Sequence, residues 1–121
     1  MKIEDIKAQI LAADDLQLEA IDLPTWGSPP VFVRVMTGTE RDNFEQSMID
    51  QRGKSFAQNL ANIRAKLAAL CLVNASGERV FTDAEIEQLG GKSSVELNRI
   101  FEVARRLNHL SNGDIDELAK N

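Results

Sequence analysis

The sequence predicts an α+β fold: a predominantly helical single domain with a small N-terminal β-hairpin-like element. Three observations carry that prediction. Apolar residues from Phe56 to Cys71 step by three and four, the strongest periodicity in the chain. Two short stretches, within residues 16–23 and 31–36, alternate with period two instead. Thr or Ser is followed three residues later by Glu at Thr37/Glu40, Thr82/Glu85 and Ser93/Glu96, the spacing of a capping box that opens a helix.

Taken in order, Ile3, Ile6, Ile10 and Leu11 recur at helical spacing and predict a short helix over 2–13. Leu16, Leu18, Ala20 and Ile21, with Gln17 and Glu19 between them, predict a strand over 16–23 that Pro24 stops. Gly27-Ser28-Pro29-Pro30 is turn chemistry. Val31, Val33 and Val35 alternate with Phe32, Arg34 and Met36, so the two segments are expected to pair as a hairpin with its loop around Trp26. A helix over about 38–51 follows Thr37, with Phe44, Met48 and Ile49 facing inward and Gly53 as its break. Phe56, Leu60, Ile63, Leu67, Leu70 and Cys71 predict a helix over 55–73. Asn74-Ala75-Ser76-Gly77 is a turn, and Glu78 to Phe81 reads as a very short strand or an extended arm. Thr82 opens a short helix that Gly90-Gly91 ends. Leu97, Ile100, Phe101, Ala104, Leu107 and Leu110 form the stripe of a helix over 94–110. Ser111-Asn112-Gly113 ends it, before a last short turn at 114–119.

The length of 121 residues fits one domain, 1–121, in which residues 1–30 are a semi-independent N-terminal arm. With 43% hydrophobic and 27% charged residues, the chain sits in the ordinary globular range. No apolar run approaches the roughly 20 residues of a membrane span, and residues 1–13 form no secretory signal. The net charge of −5 is uneven: residues 1–30 hold two Lys against six Asp and Glu, while 31–81 hold seven Lys and Arg against five acids. An acidic chain is repelled by phosphate backbones, which argues against nucleic acid as the main partner. Cys71 is the only cysteine, which excludes an internal disulfide and reads as a small core residue.

Motifs with chemical meaning have plainer readings here. Gly53-Lys54-Ser55 and Gly91-Lys92-Ser93 lack the earlier glycine of a phosphate-cradling loop, since Met48 and Ile86 stand there. They read as helix stops and starts. His109, the only histidine, sits near Asp114 and Asp116, but a histidine in a last helical turn suits the helix dipole. Cys71 and His109 both lie beside apolar stripes, so packing is favoured over a nucleophile and its base. Asp14, Asp15, Glu19 and Asp22 lack calcium-loop spacing and read as a solvated rim. No catalytic residue, cofactor or metal is expected. Residues 82–110 have the outline of a helix-turn-helix carrying Arg99, Arg105 and Arg106, which makes a DNA-binding regulator the first rival reading. A structural subunit of a larger assembly is the second. Trp26 in its turn is a candidate contact anchor, or equally a plug for the helical core. The expected partner-binding residues are Trp26 and Phe32 on the β part, with Phe44 and Met48 wherever one helix face is left uncovered.

One pattern runs through the chain. Trp26-Gly27 precedes Val33-Arg34-Val35; Thr39-Glu40-Arg41-Asp42 and Phe44 follow, then Asn62 to Leu67. Leu72-Val73-Asn74, Gly77 to Phe81, Ile86, Leu97, Ile100-Phe101 and Leu107-Asn108 continue it. Together these resemble the tail assembly chaperones of tailed phages over about residues 25–118, with 1–24 matching less clearly. The resemblance implies a non-enzymatic protein that binds the tape measure protein before tail tube subunits polymerise round it. It also implies action in the host bacterial cytoplasm and absence from the finished virion, in which the structural rival, a tail or connector subunit, would be present. Family members are largely helical with a small β element, some self-associate as homo-oligomers, and a longer frameshifted form often recruits the tube subunit. Ala119-Lys120-Asn121 permits a slippery codon run of that type.

Overall fold

The computed structural model describes residues 1–49 and 56–110, with the backbone alone at 48–49 and 56–62. Several expectations lie outside the described residues: the break at Gly53, the Gly53-Lys54-Ser55 triplet, the stop at 111–113, the turn at 114–119, and Asp114 and Asp116. So do the Ala119-Lys120-Asn121 end and the side chains of Met48, Ile49, Phe56 and Leu60.

Among the described residues, five α-helices surround one small sheet. Helix α1 spans Ile3–Ala12 and is followed by strand β1, Leu18–Ile21. A 3₁₀ turn at Pro24–Trp26 leads to β2, Val31–Arg34. Helix α2 is Gly38–Ile49 and α3 is Phe56–Cys71, which runs straight into β3, Leu72–Val73. A second 3₁₀ turn, Asp83–Glu85, continues as α4, Ile86–Gly90, and α5 is Ser94–Leu107.

The sheet is antiparallel in the order β1-β2-β3. The hairpin forms as expected, Leu18 opposite Arg34 and Ile21 opposite Val31. Its phase is less simple than the apolar alternation of β1 suggests. Leu18 and Ala20 are exposed, while Glu19 stands opposite buried Val33 and its carboxylate pairs with Arg106 of α5. Opposed residues share a sheet face, so β1 lays Glu19 and Ile21 on the core side and leaves Leu18 on the other.

Helix α3 stops two residues short of the range its periodicity predicts. Leu72 and Val73 turn extended and pair with Val33 and Phe32. The carbonyls orphaned at the helix end are collected by two arginines. The Arg34 Nη2 donates to the Leu70 carbonyl at 2.9 Å, and the Arg79 Nε donates to that of Ala69 at 2.9 Å. Arg79 belongs to the extended arm, which bridges to Val73 and donates its Val80 N–H to the Leu72 carbonyl.

Thr37 and Glu40 form the predicted capping box: the Glu40 N–H donates to the Thr37 hydroxyl, and the Thr37 N–H donates to the Glu40 carboxylate. Burial works against that carboxylate's ionisation. The Arg34 guanidinium and the Thr37 amide outweigh it and hold the group below its usual range. At Ser93 the expectation fails in part. The Ser93 hydroxyl accepts from the Val95 N–H, but Glu96 does not reach back. Glu96 is 0% exposed and instead accepts the Thr25 N–H at 3.1 Å, with Arg99 beside its other oxygen. A charge buried this way must be paired, and the pairing ties the 3₁₀ turn of the hairpin loop to the start of α5.

The core lies between β2, α3 and α5, with α2 and α4 packed on α3. At one end of it Asn108 gathers four elements. Its Oδ1 accepts the Met36 N–H at 2.8 Å and its Nδ2 donates to the Ala104 carbonyl at 2.8 Å. The same Nδ2 faces Cys71 Sγ at 3.8 Å, and the Asn108 carbonyl accepts from Arg41 of α2 at 2.8 Å. Helix α5 then ends in a Schellman closure. The Leu110 N–H donates to the Arg105 carbonyl and the His109 N–H to that of Arg106, with His109 in the left-handed region at φ 55°. His109 therefore lies just past the helix, exposed, rather than in its last turn.

Two stability predictions follow from this end of the molecule. Asn108→Ala strands the buried Met36 N–H and should cost about 2 kcal/mol in urea denaturation. His109→Gly relieves the left-handed strain and should raise stability by about 0.5–1 kcal/mol, after allowing for glycine's greater freedom in the unfolded chain. A variant less stable than the parent would show that the His109 side chain contributes more than its backbone costs.

Candidate functional site

Apolar surface is left open at a groove and along α1. The first, of about 600 Å³, lies between the hairpin loop, the extended arm and α4. Trp26, Pro29, Val80 and Phe81 line it together with Leu23, Val31, Leu72 and Leu89, which are themselves buried in the core; Thr25, Gln88 and Lys92 supply polar edges. Its geometry comes from local chemistry. Pro24 starts the 3₁₀ turn, and Gly27 at φ 84° reverses the chain after Trp26, a conformation that suits glycine. The Ser28 hydroxyl donates to Asp22 and pins that reversal. On the far wall, the Glu85 carboxylate accepts the Thr82 N–H and hydroxyl, which fixes the bend after Phe81. Those bonds lower the Glu85 pKa. Trp26 is half-buried, with part of its ring against the core and part toward the groove.

The second surface is α1. None of its residues is buried, and Ile3, Ile6, Ile10 and Leu11 are 75%, 43%, 65% and 79% exposed. By contrast, residues 18–30 are tied to the body through the β1–β2 pairing and the Thr25–Glu96 bond.

The structure does not bring the expected partner-binding residues together. Trp26 lines the groove. Phe32 is half-buried and pairs with Ala20 on the other face of the sheet from Val31 and Val33. Phe44 is 2% exposed and belongs to the core, because α2 packs that face against α3. It is a packing residue rather than a contact. The Met48 side chain lies outside the described residues. Sequence reasoning missed Val80 and the contact value of Phe81. Their only signal was apolar character on a short arm without periodicity, where no helical stripe or strand alternation assigns them to a core.

Other motifs resolve into structure. Arg99, Arg105 and Arg106 pair with Glu96, Glu102 and Glu19, so the cations expected to face DNA are engaged within the chain. Cys71 is fully buried, and burial pushes its thiol up to about 12. Such a thiol is not a nucleophile near neutrality, and exposed His109 turns away past the helix end. Among the described residues no group of three or more His, Cys, Asp or Glu converges, and no helix is long and apolar enough to cross a membrane.

No family model and no curated protein sequence matches the chain. Among solved structures it is similar to the tail assembly chaperone of bacteriophage HK97. The TM-score is 0.60 at 19% identity, covering 91% of this chain and 100% of that one. At that identity the likeness shows a shared fold: predominantly helical, α+β, with a small antiparallel sheet.

The state of Cys71 sets a measurable pH dependence. The unfolded thiol ionises near 9.0 while the folded one keeps its proton to about 12, so stability should fall as pH rises through that interval. Urea midpoints across alkaline pH should show the fall, and Cys71→Ala should remove the part due to this residue. Alkylation of the native protein at mildly alkaline pH should proceed only after denaturant is added.

Proposed function

We propose that the shared fold carries a shared role, and that this chain is a tail assembly chaperone that binds the tape measure protein and delivers it to the assembling tube. The observation that supports this best is the likeness spanning the whole HK97 chaperone chain, together with an apolar groove left open beside Trp26. The tape measure protein is a long helical chain with apolar stripes. Such stripes aggregate in water once they exceed a few hundred Å². A groove with apolar walls and polar edges receives one face of an amphipathic helix. Thr25, Gln88 and Lys92 at its edges keep the contact partly solvated, so it shields the stripe and still releases it when tube subunits take over. The chaperone makes and breaks no covalent bond. It acts in the host bacterial cytoplasm, is left out of the finished virion, and meets the tube subunit through a longer frameshifted form of itself.

Co-expression tests the reading. The tape measure protein encoded alongside should become more soluble with the wild-type chain than without it. Val80→Asp, which puts a charge on an exposed position of the groove wall, should return it to the insoluble fraction. A tape measure protein whose solubility ignores the wild-type chain would overturn the assignment.

A further inference from the structure

One buried carboxylate acts on the groove without lining it. The turn that carries Trp26 is closed by bonds within itself. The Trp26 and Ser28 N–H groups donate to the Leu23 carbonyl, the Gly27 N–H to that of Pro24, and the Ser28 hydroxyl to Asp22. These bonds shape the turn, and Leu23 seats its start in the core. They leave open where the turn's outer part stands against the rest of the chain. Among the described hydrogen bonds of residues 22–30 outside the β1–β2 pairing, one leaves the hairpin: the Thr25 N–H donates to the Glu96 Oε2 at 3.1 Å. Thr25 is the residue before Trp26, and Glu96 follows four residues after Lys92. The bond therefore sets the tryptophan turn against the same α4–α5 segment whose Gln88 and Lys92 edge the groove.

A carboxylate is a costly group for this place. Glu96 is 0% exposed, and an apolar side chain of like volume would avoid desolvating a charge. What the carboxylate adds is direction. It accepts an N–H in a charge-assisted bond, stronger than a neutral one, and the Arg99 Nε stands 3.2 Å from its other oxygen. Arg99 is itself half-exposed, so water remains open to it as a partner. We propose that Glu96 is a positioning residue for the groove: through the Thr25 N–H it fixes where the Trp26 ring stands relative to Val80 and Phe81, and so sets the affinity of a surface it does not touch. The placement of Trp26 rests on this chain's own bonds; the effect on a client rests in addition on the chaperone reading.

Three substitutions in the full chain separate reach from charge. Glu96→Gln keeps an oxygen at the same reach and drops the charge. Glu96→Asp keeps the charge and withdraws it by one methylene, about 1.5 Å, which takes it out of hydrogen-bond range of Thr25. Glu96→Leu removes both at similar volume. Trp26 is the only tryptophan, so its fluorescence reports the turn directly. In the client-free protein, Glu96→Asp and Glu96→Leu should shift the emission to longer wavelength, increase its quenching by acrylamide and speed hydrogen exchange at the Thr25 amide, with helical circular dichroism unchanged. Glu96→Gln should match the parent in all three. A role in stability alone would leave the emission of the folded variants where it was. Should Glu96→Leu fail to fold, the other two variants decide. Parental emission and quenching in Glu96→Asp, or a Glu96→Gln variant as altered as Glu96→Asp, would each overturn the proposal. The client half is read by co-expression: Glu96→Gln should keep the tape measure protein soluble as the parent does, and Glu96→Asp should keep severalfold less. A Glu96→Asp variant with a displaced Trp26 and undiminished solubilisation would overturn that half. A parent chain that solubilises nothing would remove the chaperone reading, and the placement of Trp26 would then stand or fall on its emission.

Discussion

A single buried amide, Asn108, holds the ends of four elements in register. Its side chain satisfies the Met36 N–H where β2 ends and the Ala104 carbonyl in the last turns of α5. Its own carbonyl anchors α2 through Arg41, and it lies against Cys71 at the end of α3. A buried amide group left without partners costs more than the net worth of one hydrogen bond. Few alternative packings would satisfy all of these groups together. The positions of β2 and α5 fix the site of the sheet, and the sheet fixes where the hairpin loop and its tryptophan stand.

At the other end of the core, Glu96 plays the matching part. It is fully buried, accepts the Thr25 N–H and has Arg99 beside it. Removing one partner of such a pair is costly even where the pair itself adds little net stability. The two polar ties hold α3 and α5 against β2, with Thr25 at one of them also lining the groove.

The chain seals Phe44, Ile63, Leu67 and Ile100 inside, yet leaves Ile3, Ile10 and Leu11 in water. Burying apolar area is worth about 25 cal/mol per Å², so an amphipathic helix with no cover stands out against a core this complete. The charged flank of α1 and the polar edges of the groove border the apolar surface that is left open.

Much of the fold was legible because local physics repeats. Periodicity predicted α3 and α5, alternation predicted the hairpin, and Thr37 with Glu40 marked the start of α2. The errors came where a distant partner outweighed the local signal. Leu72 and Val73 continue an apolar helical pattern, but strand pairing with Phe32 and Val33 claims them. Glu96 sits at capping-box spacing, but the Thr25 N–H seventy-one positions away claims its carboxylate. The site was less legible than the fold. Trp26 stood out as a lone aromatic in a turn, whereas Val80 and Phe81 have no pattern that distinguishes a groove wall from a core. By itself, the sequence determined most of the element types, the turn at Gly27 and the core placement of Cys71. These depend on neighbours within a few residues, or on composition. Only the tertiary structure decided that Phe44 is sealed, that the stripe of α1 has no cover, and that Trp26, Val80 and Phe81 share one groove. Amphipathic spacing states that a face is apolar, not what will lie against it. Which faces find a partner inside the chain depends on how the helices and sheet are packed, and that is a property of the assembled molecule.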